Sequence, residues 1–123
     1  MTKVLIAEDD EPLRSMIQKI LVKAGYQVVV AGDGEATLDI LQAEKPQVLV
    51  LDLAMPKKNG YEVCRAVRAS ADPQISKIKI IITSGKKYPV DIRAAHEYGA
   101  DDYLVKPFHV DELLAAMREL LEE

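Results

Sequence analysis

A single cysteine, Cys64, rules out an internal disulfide and a multi-thiolate metal site, and it fits a reducing compartment. Its expected role is that of a small buried helix residue. No apolar run approaches the roughly 20 residues needed to span a bilayer. Met1 leads directly into a strand-like run without a leader pattern, so a cytoplasmic location is expected. Basic charge is not in excess either: 16 Lys and Arg stand against 20 Asp and Glu, for a net charge of −4. The cations are dispersed, which leaves neither a track for nucleic acid nor a polybasic patch for a membrane. No Gly/Ser linker or low-complexity tract interrupts the 123 residues. Residues 1–123 therefore read as one domain with one well-buried core.

What the chain does have is a repeating alternation. Five short apolar runs rich in β-branched residues occur at Val4–Ala7, Val28–Ala31, Val48–Leu51, Ile80–Thr83 and Tyr103–Val105. They are continuous rather than alternating with polar residues, as expected of parallel strands covered on both faces. Between them lie segments with helical spacing. Leu13, Ile17, Ile20, Leu21 and Ala24 make one stripe, closed by Gly25. Val110, Leu113, Leu114, Met117, Leu120 and Leu121 make another. Weaker stripes run through Leu38 and Leu41, and through Val63, Cys64 and Val67, and Pro89 suits the first turn of a helix that Gly99 would end. Strand–helix repeated five times with short connections predicts an α/β fold, a doubly wound parallel sheet with helices on both faces. For five strands the flavodoxin-like order 2-1-3-4-5 is the natural choice.

Such sheets bind ligands beyond the carboxyl ends of their strands, near the point where strand order reverses. The first strand ends in Glu8-Asp9-Asp10, the third in Asp52, the fourth in Thr83-Ser84 and the fifth in Lys106-Pro107. Asp9, Asp10 and Asp52 are expected to converge. Clustered carboxylates repel one another unless a cation intervenes, and an all-oxygen donor set suits Mg²⁺. An aspartate can act as a nucleophile toward phosphorus and form an acyl phosphate. Lys106 offers a compact positive charge for the transferred group, and Thr83 a hydroxyl. Taken singly, each has a plainer reading: Asp10 before Glu11-Pro12 is a good helix N-cap, and Asp52 is a strand-end turn residue. Their common edge is what favours a site.

Val4-Leu5-Ile6-Ala7-Glu8-Asp9-Asp10, Leu51-Asp52-Leu53-Ala54-Met55-Pro56 leading to Gly60, Ile82-Thr83-Ser84-Gly85, and Gly99-Ala100-Asp101-Asp102-Tyr103-Leu104-Val105-Lys106-Pro107-Phe108 together resemble a known family. It is the receiver domain of bacterial two-component response regulators, similar to the single-domain chemotaxis type, and the resemblance spans essentially the whole chain. It implies that Asp52 is the phosphoacceptor, loaded from the phosphohistidine of a histidine kinase. It implies Asp10 and Asp52 as direct Mg²⁺ ligands, the Ala54 carbonyl as a third, and Asp9 acting through a bound water. Lys106 is similar to the lysine that pairs with the phosphoryl group, and its bond to Pro107 is expected to be cis. Thr83 and Tyr103 resemble the switch pair that repacks the face made by the last two helices and the fifth strand. The implied partners are a histidine kinase and a downstream effector protein or phosphatase, with no direct nucleic acid or membrane contact. The implied state is a monomer or a phosphorylation-dependent dimer. Such a domain catalyses only its own phosphorylation and dephosphorylation.

The chain departs from the family pattern at Ser84, where alanine is frequent, and in the loop Pro56-Lys57-Lys58-Asn59-Gly60, which carries two lysines and an asparagine. His96 and His109 lack partners at metal-ligand spacing and are expected at the surface. A haloacid-dehalogenase-like phosphatase would need a second acid two residues after the nucleophile, where Ala54 stands. A flavin carrier would need a phosphate loop where Glu8-Asp9-Asp10 stands, and three acids repel a phosphate. An alternative of context remains, that the chain is the receiver segment of a longer DNA-binding response regulator or hybrid kinase.

Overall fold

Each apolar run of the sequence forms a strand, extended by one or two residues that hydrophobicity alone did not mark. The computed structural model describes residues 1–122; the expected end of the domain at Glu123 lies outside them. The order is β1 (Lys3–Ala7), α1 (Glu11–Lys23), β2 (Gln27–Ala31), α2 (Gly34–Glu44), β3 (Val48–Asp52), α3 (Gly60–Arg68), α4 (Pro73–Ser76), β4 (Lys79–Ser84), α5 (Pro89–Glu97), β5 (Asp102–Val105) and α6 (Val110–Leu121). All strand pairs are parallel, and the sheet order is β2-β1-β3-β4-β5. The fold is thus the flavodoxin-like arrangement expected from the sequence.

Two cores explain why the strands are apolar throughout. Leu5, Leu49, Leu51, Ile80 and Ile82 point to the face covered by α2, α3 and α5, where they meet Leu41, Val63, Val67 and Ala95. Their neighbours Val4, Ile6, Val48, Val50 and Ile81 point to the face covered by α1 and α6, against Ile17, Leu21, Leu113 and Met117. The period of two along each strand therefore carries apolar side chains on both sides. Cys64 is a buried free thiol in the first core, and burial pushes its pKa up to about 11. His96 and His109 are exposed. Among the described residues no helix is long and apolar enough to cross a membrane.

The helix ends follow local chemistry. Asp10 caps α1, with proline in its first turn, and Gly25 leaves the helix at φ +100°. Asn59 and Glu62 form a reciprocal capping box at the start of α3. The short α4 has no counterpart in the hydrophobic pattern; four residues carry too little periodicity, although Asp72 as N-cap and Pro73 in the first turn are its local signal.

One cation joins four elements. Arg68 at the end of α3 donates from Nε and Nη2 to the Gly99 carbonyl (3.0 and 2.7 Å) and from Nη1 to the carbonyls of Ser76 and Ile78 (2.8 and 2.7 Å). Its Nη2 also pairs with Asp101 Oδ2 at 3.0 Å, and that same oxygen accepts the Ile80 N–H at 2.8 Å. Gly99 sits at φ +112°, where a Cβ would come within 2.7 Å of Arg68 Cγ. Arg68→Met is expected to lower unfolding free energy by about 2 kcal/mol, because it strips several carbonyls of their charged donor at once. Urea denaturation checks this, and Arg68→Lys should fall between the two.

Candidate functional site

Strands β1 and β3 are neighbours at the reversal of strand order, so their carboxyl ends open into one crevice. The parallel register pairs Ala7 with Leu51; carried one residue further, it sets Glu8 beside Asp52. Glu8 is still held as a strand residue, donating its N–H to the Ala31 carbonyl at 3.1 Å. On the other side Asp52 pairs with Thr83 of β4, and Ser84 of β4 pairs with Val105 of β5. Lys106 continues β5, its N–H donating to the Ser84 carbonyl at 2.7 Å. The bond from Lys106 to Pro107 is cis.

Oxygens of Glu8, Asp9 and Asp52 all lie within 4.8 Å of one another. Lys106 Nζ stands 2.8 Å from Glu8 Oε1 and 3.3 Å from Asp52 Oδ1. The side chains of Glu8 and Asp52 are only 3% and 6% exposed, so this charge is nearly out of water. Three acids against one ammonium leave the crevice electronegative.

The two buried acids share this environment unequally. Burial pushes the Glu8 carboxyl up to about 7, and the Asp52 carboxylate beside it pushes the same way; the Lys106 bond and the Asp10 N–H oppose the rise. Burial also acts to raise Asp52, but it is outweighed by the Glu8 hydrogen bond, the Lys106 charge and the Ala54 N–H, which donates to Oδ1 at 3.3 Å. The net direction for Asp52 is downward, which favours its charged form. Lys106 is held in its charged form: burial disfavours that form, but the bond to Glu8 and the charge of Asp52 outweigh it. The donor set is all hard oxygen, with excess negative charge and the exposed bend at Ala54 next to it. That composition fits Mg²⁺.

Asp9, Asp52 and Lys106 are brought together as expected. Asp10 is not, and its expected place beside Asp52 as a ligand needs correction. Its Oδ1 accepts the Leu13 N–H at 3.2 Å, so the carboxylate caps α1 at the surface. The acid that takes its place is Glu8, which sequence reasoning passed over. The missed signal was local: Asp10-Glu11-Pro12 already commits Asp10 to the helix start, and strand register points the residue after Ala7 at Asp52.

Thr83 is buried next to Asp52. Tyr103 lies opposite Ile82 in the register, half-buried, and its hydroxyl donates to the Lys86 carbonyl at 2.7 Å. Ser84 is buried and accepts the Lys86 N–H at 3.0 Å. The two lysines of the loop after Asp52 are placed by the start of α2. Lys57 Nζ is 3.6 Å from Asp33 Oδ2, the Gly34 N–H donates to the Pro56 carbonyl at 3.2 Å, and a Cβ on Gly34 would run into Lys58.

Comparison with known proteins gives a consistent picture. The family described as the response regulator receiver domain matches residues 4–118. Response regulator MprA of Mycobacterium avium is 39% identical over 119 residues, which is 97% of this chain and 50% of that protein. Transcriptional regulatory protein YxdJ of Bacillus subtilis is 42% identical over 118 residues, 96% of this chain and 49% of that protein. The chain thus spans about half the length of these curated relatives. Among solved structures, chemotaxis response regulator CheY4 of Vibrio cholerae is similar with a TM-score of 0.91 at 32% identity, over 98% of each chain.

The crowded acids yield a prediction with two opposite signs. Asp9→Asn removes one like charge, so without Mg²⁺ the variant should melt about 3 °C above the wild type. It should also lose most of the further rise that Mg²⁺ produces in the wild type. Thermal melts with EDTA and with Mg²⁺ measure both effects.

Proposed function

The chain belongs to the response regulator receiver domain family, and from that premise we propose that it is a phosphorylatable switch of a two-component phosphorelay. A histidine kinase is the donor, Asp52 the acceptor, and a partner protein reads the resulting conformation. The observation that carries this reading is a nearly buried Asp52 carboxylate 3.3 Å from the Lys106 ammonium and inside an oxygen cluster suited to Mg²⁺. It acts in the cytoplasm on this reading and turns over no external metabolite.

An Asp52 carboxylate oxygen attacks the phosphorus of the phosphohistidine, the P–N bond breaks, and its electron pair leaves with the imidazole. Asp52 becomes an acyl phosphate. When bound by Glu8, Asp9, Asp52 and the Ala54 carbonyl, Mg²⁺ would supply positive charge to the phosphoryl oxygens. Lys106 already faces Asp52 and turns its ammonium to a phosphoryl oxygen. Hydrolysis unloads the site: water attacks phosphorus, the Asp52 O–P bond breaks, inorganic phosphate leaves with the water oxygen, a proton passes to solvent, and the carboxylate returns. No dedicated base is needed, because phosphoryl transfer relies on positioning and charge neutralisation.

Thr83 is buried and pairs with Asp52 in the register, which supports a role for its hydroxyl as a donor to the new group. Tyr103 lies one position off on the next strand, tied through its hydroxyl to the β4–α5 loop at Lys86. On this reading, carried over from the family, Thr83 moves toward the phosphoryl group, Tyr103 turns into the space it leaves, and the repacked α5–β5–α6 face is read by an effector or a second receiver.

A second reading, that the chain is the receiver segment of a longer DNA-binding response regulator or hybrid kinase, is favoured by the half-length coverage of the curated relatives. The length of the natural reading frame decides between the two.

With acetyl phosphate and Mg²⁺, intact-mass measurement should show one added phosphoryl group, absent with EDTA and absent in Asp52→Asn. Undiminished labelling of the variant would refute Asp52 as acceptor. Lys106→Ala should still bind Mg²⁺ yet lose most of the amide NMR shift at Tyr103 and Lys86 that a phosphate analogue produces in the wild type. Equal shifts in both proteins would remove Lys106 from the switch.

A further inference from the structure

The residues that contact Asp52 do not include the one that fixes the turn in front of it. Arg14, half-buried on the first turn of α1, donates from Nη1 to the Glu8 backbone carbonyl at 2.9 Å. Its own backbone N–H donates to the Asp10 carbonyl at 2.9 Å, so the same residue closes the helix start that follows the acids. The guanidinium also lies against the β2–α2 turn, where Gly32 leaves it room: a Cβ there would stand 3.4 Å from Nη1. Among the described residues Arg14 enters no ion pair. A cation beside three acids is thus aimed at a backbone carbonyl.

That carbonyl occupies a decisive place. The Glu8 N–H is anchored to Ala31 of β2 at 3.1 Å, and the Glu8 carbonyl is anchored to Arg14. The peptide plane between Glu8 and Asp9 is planar, so fixing its oxygen fixes the direction in which the chain delivers Asp9. Asp9 is the exposed member of the cluster and the one no strand ladder orients.

We propose that Arg14 is a positioning residue for cation binding: it holds the Glu8–Asp9 peptide so that the Asp9 carboxylate faces those of Glu8 and Asp52. The proposal rests on the Mg²⁺-dependent reading of the site given above. Its sign separates it from simple electrostatics. A guanidinium acting only as a nearby charge repels Mg²⁺, so removing it would tighten binding. A guanidinium acting through geometry aids binding, so removing it loosens the site.

Calorimetric titration with Mg²⁺ of the wild type, Arg14→Met, Arg14→Lys and the control Lys19→Met tests this. Lys19 lies on the same helix, exposed, and carries the same charge. The expected result is about tenfold weaker Mg²⁺ binding in Arg14→Met, in the range seen when a ligand's supporting contact is lost. Arg14→Lys should stay within about threefold of the wild type, and Lys19→Met should be unchanged. Should Arg14→Met not fold, Arg14→Gln replaces it with the same expectation, because the shorter amide does not reach the carbonyl. Wild-type affinity or tighter binding in the variant lacking the guanidinium would overturn the proposal, even if its metal-free melting temperature falls, since that pattern is purely structural. A wild type that fails to bind Mg²⁺ would instead overturn the metal reading on which the proposal stands.

Discussion

Like charge crowded at a sheet edge is the constraint from which the rest of this molecule follows. Glu8, Asp9 and Asp52 bring carboxylate oxygens within 4.8 Å of one another, two of them nearly buried, with the single Lys106 ammonium between. Nothing about folding rewards that arrangement: acids in such a place repel one another and lose hydration. The apo protein reduces the cost by holding Glu8 toward its neutral form and keeping the charge on Asp52. On the proposed reading, a divalent cation is the partner that turns the same crowding into attraction.

The scaffold supplies what such a site requires, which is precision. Five parallel strands packed between two apolar layers leave little freedom at their carboxyl ends. Consecutive pairings, Ala7 with Leu51, Asp52 with Thr83, and Ser84 with Val105, hand the side chains of four strands to one crevice. At the opposite end of the same strands, Arg68 secures α3, α4, β4 and the turn before β5 through backbone carbonyls. Among the members of the site, Asp9 is exposed, while Glu8, Asp52 and Thr83 are buried.

Much of this was legible in the sequence, for identifiable reasons. Continuous β-branched runs announced strands buried on both faces, and their number and spacing led to the observed sheet order. Asp52, Lys106 and Thr83 were legible because each ends or directly follows a run, and Asp9 because it lies two residues past one, where topology gathers them. Glu8 was not, because the three adjacent acids look equivalent until strand register and helix capping are set against each other. Register turns residue 8 inward, while the proline-marked helix start claims Asp10. The Arg68 and Arg14 contacts were also out of reach, since a long side chain bonding backbone carbonyls leaves no periodicity and no motif. The short α4 escaped for want of length.

The central claim is that this crowding makes Asp52, and no neighbouring acid, the group that accepts phosphorus. Trapping the phosphorylated protein with borohydride, which reduces an acyl phosphate to an alcohol, and mapping the reduced residue by peptide mass tests this directly. The account predicts reduction at Asp52 alone, and only when Mg²⁺ was present during phosphorylation. Reduction at Glu8, Asp9 or Asp10, or the same yield at Asp52 in the presence of EDTA, would contradict it.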